Sequence, residues 1–196
     1  NFEVRHAVSG YRFPTGKGLR VLPASCIKAP ESYSVIVQAM FDNAAGWNRI
    51  IDSDRWSAAG LFVKGNRYMI MPSDLGIQCS SYIFNNRLYQ FGLTVAESGD
   101  AKLYINGFMC ATGSASDAPG SMKIGSDALD FFHDSSGLNG AGLVSRIRLF
   151  DKALSDSEMT RMCLCKLPDP PTDSTCLGTV VLNVEDSKIR FDSNYY

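Results

Sequence analysis

The sequence predicts an all-β domain, a two-sheet antiparallel β-sandwich of the jelly-roll kind, with one short helix after the last sandwich strand. Three observations carry this. Strand-length segments alternate apolar and polar residues with a period of two, as in Tyr33, Val35, Val37, Ala39 and Phe41. Turns that tolerate positive φ separate them, with Asn106-Gly107 the clearest. The stretch GLVSRIRLFDKALSDSEM, 142–159, reads as a strand, a sharp stop and the start of a helix.

The elements follow in order. Residues 1–16 lack periodicity and are expected to form an N-terminal arm. GLRVL, 18–22, is the first expected strand, and Pro23 ends it. SYSVIVQAMF, 32–41, is a strong strand, and WNRIID, 47–52, is another, with Trp47 expected in the core. GLFV and RYMIM are joined by the Lys64-Gly65-Asn66 turn. SSYIF, 80–84, is expected as a short strand, Arg87 to Ala96 as a longer one, and AKLYI–NG–FMCAT as a hairpin. SMKIG, 121–125, reads as a strand, and DALDFFHDSSGLNGAG, 127–142, as a loop whose Phe131 and Phe132 close one end of the core.

In the 142–159 stretch, Ser145, Ile147 and Leu149 fall on one side and Arg146 and Arg148 on the other. Ser155 is the expected N-cap, Glu158 completes a capping box, and Leu154 staples onto Met159. After Arg161, KLPDPPTDST is a Pro-rich linker, and 178–184 and 188–191 offer two more strand-like pieces. The expected division is an arm at 1–16, the sandwich at 17–165, and a linker with a short β appendage at 166–196.

The run V-x-R-I-R-L-F-D within 142–151, with the Leu, Ser and acid that follow, resembles the last strand and exit turn of laminin G-like domains, members of the concanavalin A-like superfamily. WNRIID followed by GLFVKGNRYMIMP resembles the family's early strands, and LTVAESGDAKLYINGF its later hairpin. The resemblance implies that the 18–22 strand lies beside 143–150. It also implies binding of glycans, proteins, steroids or lipids, or a packing role, so it selects a fold and leaves the ligand open.

Composition narrows the classes. The net charge is −1 with both signs interspersed, which argues against nucleic-acid binding. No apolar run reaches the roughly 20 residues of a membrane span. The six cysteines include no CxxC pair, so disulfides in an oxidising, secreted or cell-surface setting are expected over zinc. A trial pairing is Cys79 with Cys110, Cys26 with Cys163 and Cys165 with Cys176, one of 15 connectivities open to six cysteines. A chain opening at Asn1 is expected to be processed or part of something longer.

No carboxylate pair stands at the spacing of a glucanase strand, and neither His6 nor His133 has a nucleophile elbow beside it, so catalysis is not expected. Asp127, Asp130 and Asp134 offer hard oxygens for a possible Ca2+, against the plainer reading of a solvated acidic loop. Trp56, with Arg55 and Asp54, sits in a polar loop where an indole can stack on a sugar or anchor a protein, or fold back on the sandwich edge. His133 and Asn139 complete the candidate set. The expected role is a non-catalytic binding or adhesion module with a glycan ligand. The alternative is a structural or protein-interaction domain in a larger multi-chain assembly. If the loops 52–59 and 127–139 share one end of the sandwich, they form a single aromatic and oxygen-rich site.

Overall fold

The structure is a computed structural model. It describes residues 10–21, 32–52, 60–71, 77–114, 129–133, 139–164, 180–185 and 188–191. These form two antiparallel sheets and one helix. The larger sheet runs β13 (Lys188–Phe191), β12 (Val180–Glu185), β11 (Gly142–Phe150), β3 (Tyr33–Phe41), β7 (Tyr89–Val95), β8 (Asp100–Ile105), β9 (Phe108–Ser114). The smaller runs β2 (Leu19–Val21), β10 (Leu129–Phe131), β4 (Trp47–Asp52), β5 (Gly60–Lys64), β6 (Arg67–Met71).

Alternation decides which face of each strand is buried. In β3 the odd-numbered residues Tyr33, Val35, Val37, Ala39 and Phe41 enter the core, where Leu61, Val63, Tyr68 and Ile70 of the smaller sheet meet them. One polar tie crosses the gap: the Tyr68 hydroxyl donates to the Gly92 carbonyl at 3.0 Å. Burial pushes that phenol's pKa well above its ordinary value, so it remains a donor. Phe13, Phe41 and Phe132 close one end, with Phe13 stacked on Phe132 at 4.3 Å.

The outer face of the larger sheet is covered in part by α1 (Asp156–Leu164). Ile36, Gly92 and Tyr104 lie in one row across β3, β7 and β8. Met159 of the helix seats on that row, and a Cβ at Gly92 would stand 2.3 Å from its terminal methyl. The capping box is present: Ser155 Oγ accepts from the Glu158 N–H at 3.3 Å, and Glu158 Oε2 accepts from the Ser155 N–H at 2.8 Å. Leu154 and Met159 are buried together, as a staple requires.

Several expectations change. The strand beside β11 is β1 (Tyr11–Phe13), from within the supposed arm. The Leu19–Val21 strand pairs with β10 in the other sheet. Phe13 explains the switch, because its ring anchors β1 in the aromatic end of the core. The region taken as one loop at 127–142 contains β10, with Leu129 and Phe131 in the core and Asp130, also buried, on the opposite face between them. Residues 80–84 form no strand, and among the described residues a bridge from Met69 to Gln78 adds to the sheet edge before them. Arg148 does not stand free in water; its Nη1 lies 3.4 Å from Met162 Sδ under the helix. Trp47 is not core: it stands on the outer face of β4, 38% exposed, with the Lys64 ammonium 3.5 Å over its ring. β12 pairs with β11 along Arg146–Leu149, so this part of the appendage extends the larger sheet. The strand expected at 121–125 lies outside the described residues.

Candidate functional site

The antiparallel registers sort the loops into two ends. Asp52, Gly60, Met71 and Leu129 stand at one end of the smaller sheet. The opposite end gathers 42–46, 64–66, 82–88, 106–107 and the residues after Phe131. Asp54, Arg55 and Trp56 fall in the segment between Asp52 and Gly60, outside the described residues, as do Asp127 and Asp134. Strand β10 separates Asp127 from His133 and Asn139, so the 127–139 stretch is not a loop at one end.

The predicted residues that are described have structural partners. Asp130 faces Asp52 in register across β10 and β4, and both carboxylates are buried. Arg20 grips Asp130 with two bonds, 2.7 and 2.8 Å, and Arg49 meets Asp52 at 2.6 Å. Buried carboxylates need such partners, since an unpaired charge in a low-dielectric site is costly. The Asp130 bond raises the Arg20 pKa above its ordinary value, so the pair stays charged. His133 Nδ1 lies 3.9 Å from Asp130. Asn139 is interior: its Oδ1 accepts from the Arg49 N–H at 2.7 Å and its Nδ2 donates to the Phe132 carbonyl. Its amide is committed at both ends to holding the chain, which leaves it no free face for a ligand. Among the described residues no three His, Cys, Asp or Glu side chains gather closely enough to hold a metal ion.

The Cys79–Cys110 disulfide is present as expected, although Cys79 lies outside any strand. It ties the segment beside β6 to β9, and so joins one edge of each sheet. Cys26, Cys165 and Cys176 lie outside the described residues, as does the side chain of Cys163. The disulfide is compatible with an oxidising compartment. No helix among the described residues is long and apolar enough to cross a membrane.

A surface missed in the sequence stands just beyond the disulfide. Tyr82 and Phe84 are half exposed, with ring centroids 4.9 Å apart and planes at 57°. Ile83 between them is buried, and its backbone is held from both sides: its N–H donates to the Asn66 carbonyl at 3.0 Å, and its carbonyl accepts from Asn66 Nδ2 at 2.7 Å. The Phe84 N–H donates to the Tyr89 hydroxyl at 3.1 Å. Asn85 Oδ1 accepts from the Ala44 N–H, and the Asn86 N–H donates to the Phe41 carbonyl. Six residues from Tyr82 to Arg87 therefore display two aromatic rings, two amides and a guanidinium on an immobilised backbone. The clue in the sequence is charge: between Asp74 and Glu97, Arg87 is the sole charged residue.

No protein-family model and no curated protein matches the sequence. Among solved structures the chain is similar to a putative carbohydrate binding protein from Bacteroides ovatus, with TM-score 0.63 and 16% identity over 90% of this chain and 53% of that one. It is similar to Trypanosoma rangeli sialidase, with TM-score 0.61 and 14% identity over 81% of this chain and 28% of that one. It is also similar to the CBM40 of the Ruminococcus gnavus IT-sialidase bound to alpha2,3 sialyllactose, with TM-score 0.60 and 16% identity over 79% of this chain and 96% of that one. The chain thus spans about half the length of the first protein and about a quarter of the second. At these identities the likeness establishes the fold, a two-sheet antiparallel β-sandwich.

Proposed function

We propose that the domain is a non-catalytic glycan-binding module of a secreted or cell-surface protein, within the laminin G-like branch of its fold. The observation that carries this is the Tyr82–Phe84 pair, exposed yet fixed in place. Large aromatic side chains normally bury. Two held at the surface by backbone bonds are pre-organised for a ligand and lose little entropy on binding. The π-faces are electron-rich, and the C–H face of a pyranose is apolar and faintly positive, so stacking suits both. The exposed Asn85 and Asn86 add amide chemistry for sugar hydroxyls. Structures that resemble this one include a putative carbohydrate binding protein and a sialyllactose-bound CBM40, which supports the reading.

The Asp54–Arg55–Trp56 segment is a second place for the ligand, and calcium at Asp127, Asp130 and Asp134 enters the same experiment as a separate arm. A glycan array is read with calcium and then with chelator, on wild type, Tyr82→Ala, Phe84→Ala and Trp56→Ala. The expected result is binding that falls about tenfold or more in Tyr82→Ala and Phe84→Ala, equivalent to about 1.4 kcal/mol. Loss confined to Trp56→Ala moves the site to the other end, and loss confined to the chelator arm makes binding depend on calcium. Absence of any glycan ligand overturns the function.

One observation favours a protein-contact reading. Phe108 and Met109 are exposed on edge strand β9, with Phe108 at 68%. Exposed Phe and Met are typical of protein interfaces. Sedimentation against concentration, on wild type and Phe108→Ser, tests this. Assembly that Phe108→Ser abolishes supports it, and a monomer at all concentrations removes it.

A further inference from the structure

We infer that Arg87 makes the Tyr82–Phe84 surface selective for anionic glycans, those whose sugar rings carry a carboxylate or a sulfate ester; this rests on the glycan-binding reading above. Tyr89 sets the geometry. Its ring is buried, and its hydroxyl accepts the Phe84 N–H at 3.1 Å. The Arg87 guanidinium carbon lies 5.8 Å from the centroid of the same ring. One fixed tyrosine therefore anchors both the aromatic platform and the cation, and a cation within about 6 Å of a ring centroid is held by the ring quadrupole. The same ring thus meets both the Phe84 backbone and the Arg87 guanidinium, and a sugar stacked on the platform presents its substituents to that charge.

Arg87 is exposed and takes part in no ion pair among the described residues. Its neighbours do not neutralise it. The acid nearest by connectivity is Asp42, next to Phe41, whose carbonyl takes the Asn86 N–H; Arg12 holds both oxygens of Asp42, at 3.1 and 2.8 Å. Of the other cations at this end, Lys64 lies over Trp47 and Arg12 is paired with Asp42, while Arg67 stands across from Lys64 on β6; Arg87 is the cation beside Tyr89, and its guanidinium fork has no ion-pair partner among the described residues. A planar fork with parallel N–H donors matches a carboxylate or a sulfate better than it matches a neutral hydroxyl. The absence of any acid between Asp74 and Glu97 removes local repulsion of such a ligand.

The test is titration calorimetry with three probes: tetragalacturonate, its methyl ester, and a sulfated neutral tetrasaccharide. The ester keeps the rings and removes the charge. Wild type is expected to bind at least one anionic probe about tenfold more tightly than the ester, and the difference is expected to shrink in high salt. Arg87→Gln should bring the anionic probes to parity with the ester while an unchanged thermal midpoint shows the fold is intact. Tyr82→Ala should weaken all three. The carboxylate and sulfate arms identify which anion is read. Equal binding of acid and ester by wild type overturns the role of Arg87 and leaves glycan binding standing. Anion binding that survives Tyr82→Ala shows a bare charge effect and overturns the joint site. Failure of all three probes, together with an empty glycan array, overturns the underlying function.

Discussion

Ser155 and Glu158 show how much one residue pair can fix. The serine supplies an acceptor to the first turn of α1, and the glutamate reaches back to the serine N–H. Ser155→Ala is expected to cost about 1 kcal/mol, read as a shift of the urea midpoint at constant slope. Lys152 first, and then the bonds to Ser155, lower the Glu158 pKa from 4.5 to about 2. A depressed carboxylate pKa means that the stabilisation is full above pH 4.5 and fades as pH falls toward 2. The midpoint gap between wild type and Glu158→Gln should therefore be present at pH 7 and close near pH 2; a gap independent of pH would remove Glu158 from the cap. This motif was legible because its partners lie three residues apart. Asn139 was not, because the N–H that it accepts belongs to Arg49, 90 residues away in sequence. An asparagine beside glycines in a polar stretch looks like a ligand until its distant partner is known.

At the scale of elements, the helix and the sheet fit through an absence. Gly92 occupies the row between Ile36 and Tyr104, and Met159 fills the space that a side chain there would take. Met159→Ala should cost about 2–5 kcal/mol through lost burial and the cavity left behind. Gly92→Ala should be destabilising in wild type and much less so in Met159→Ala, where the opposing methyl is gone. A double-mutant cycle with no coupling would show that the helix does not seat on this row. The hairpin at Asn106-Gly107 was readable because local chemistry decides it: both residues have positive φ, 52° and 81°, as a two-residue type I′ turn requires. The short strands were not readable. β1, β2 and β10 have three residues each, too few to show a period. Long-range packing sets them: Phe13 on Phe132 for β1, and for β2 the close approach of Gly18, where a Cβ would stand 2.2 Å from the Phe131 carbonyl.

Across the whole molecule, the two sheets meet through a continuous apolar core, the Tyr68–Gly92 bond and one covalent link at their edges. The exposed aromatic surface was hidden in the sequence because Tyr82-Ile83-Phe84 alternates like a half-buried strand, in which the outer residues draw no notice. The segment forms no strand, and its rings point outward because Ile83 is the residue drawn into the core. Its position depends on Cys79, which enters it three residues before Tyr82 and is bonded to Cys110 across a separation of 31 residues. Closing a loop of that length is worth about 3–4 kcal/mol in the chain-entropy account. For a domain of this size that is a fall in thermal midpoint of about 6–16 °C on opening the bond. Cys79→Ser with Cys110→Ser should reproduce that fall without reductant. The same variant should speed amide exchange at Ile83 more than at Val37 in the centre of the larger sheet, because only the former lies on the tethered segment. Glycan affinity should drop with the exchange protection, since a platform that moves must be ordered again on binding. Unchanged protection at Ile83 would mean that the hydrogen bonds to Asn66, Tyr89, Ala44 and Phe41 hold the platform without the disulfide, which then serves stability without serving the site.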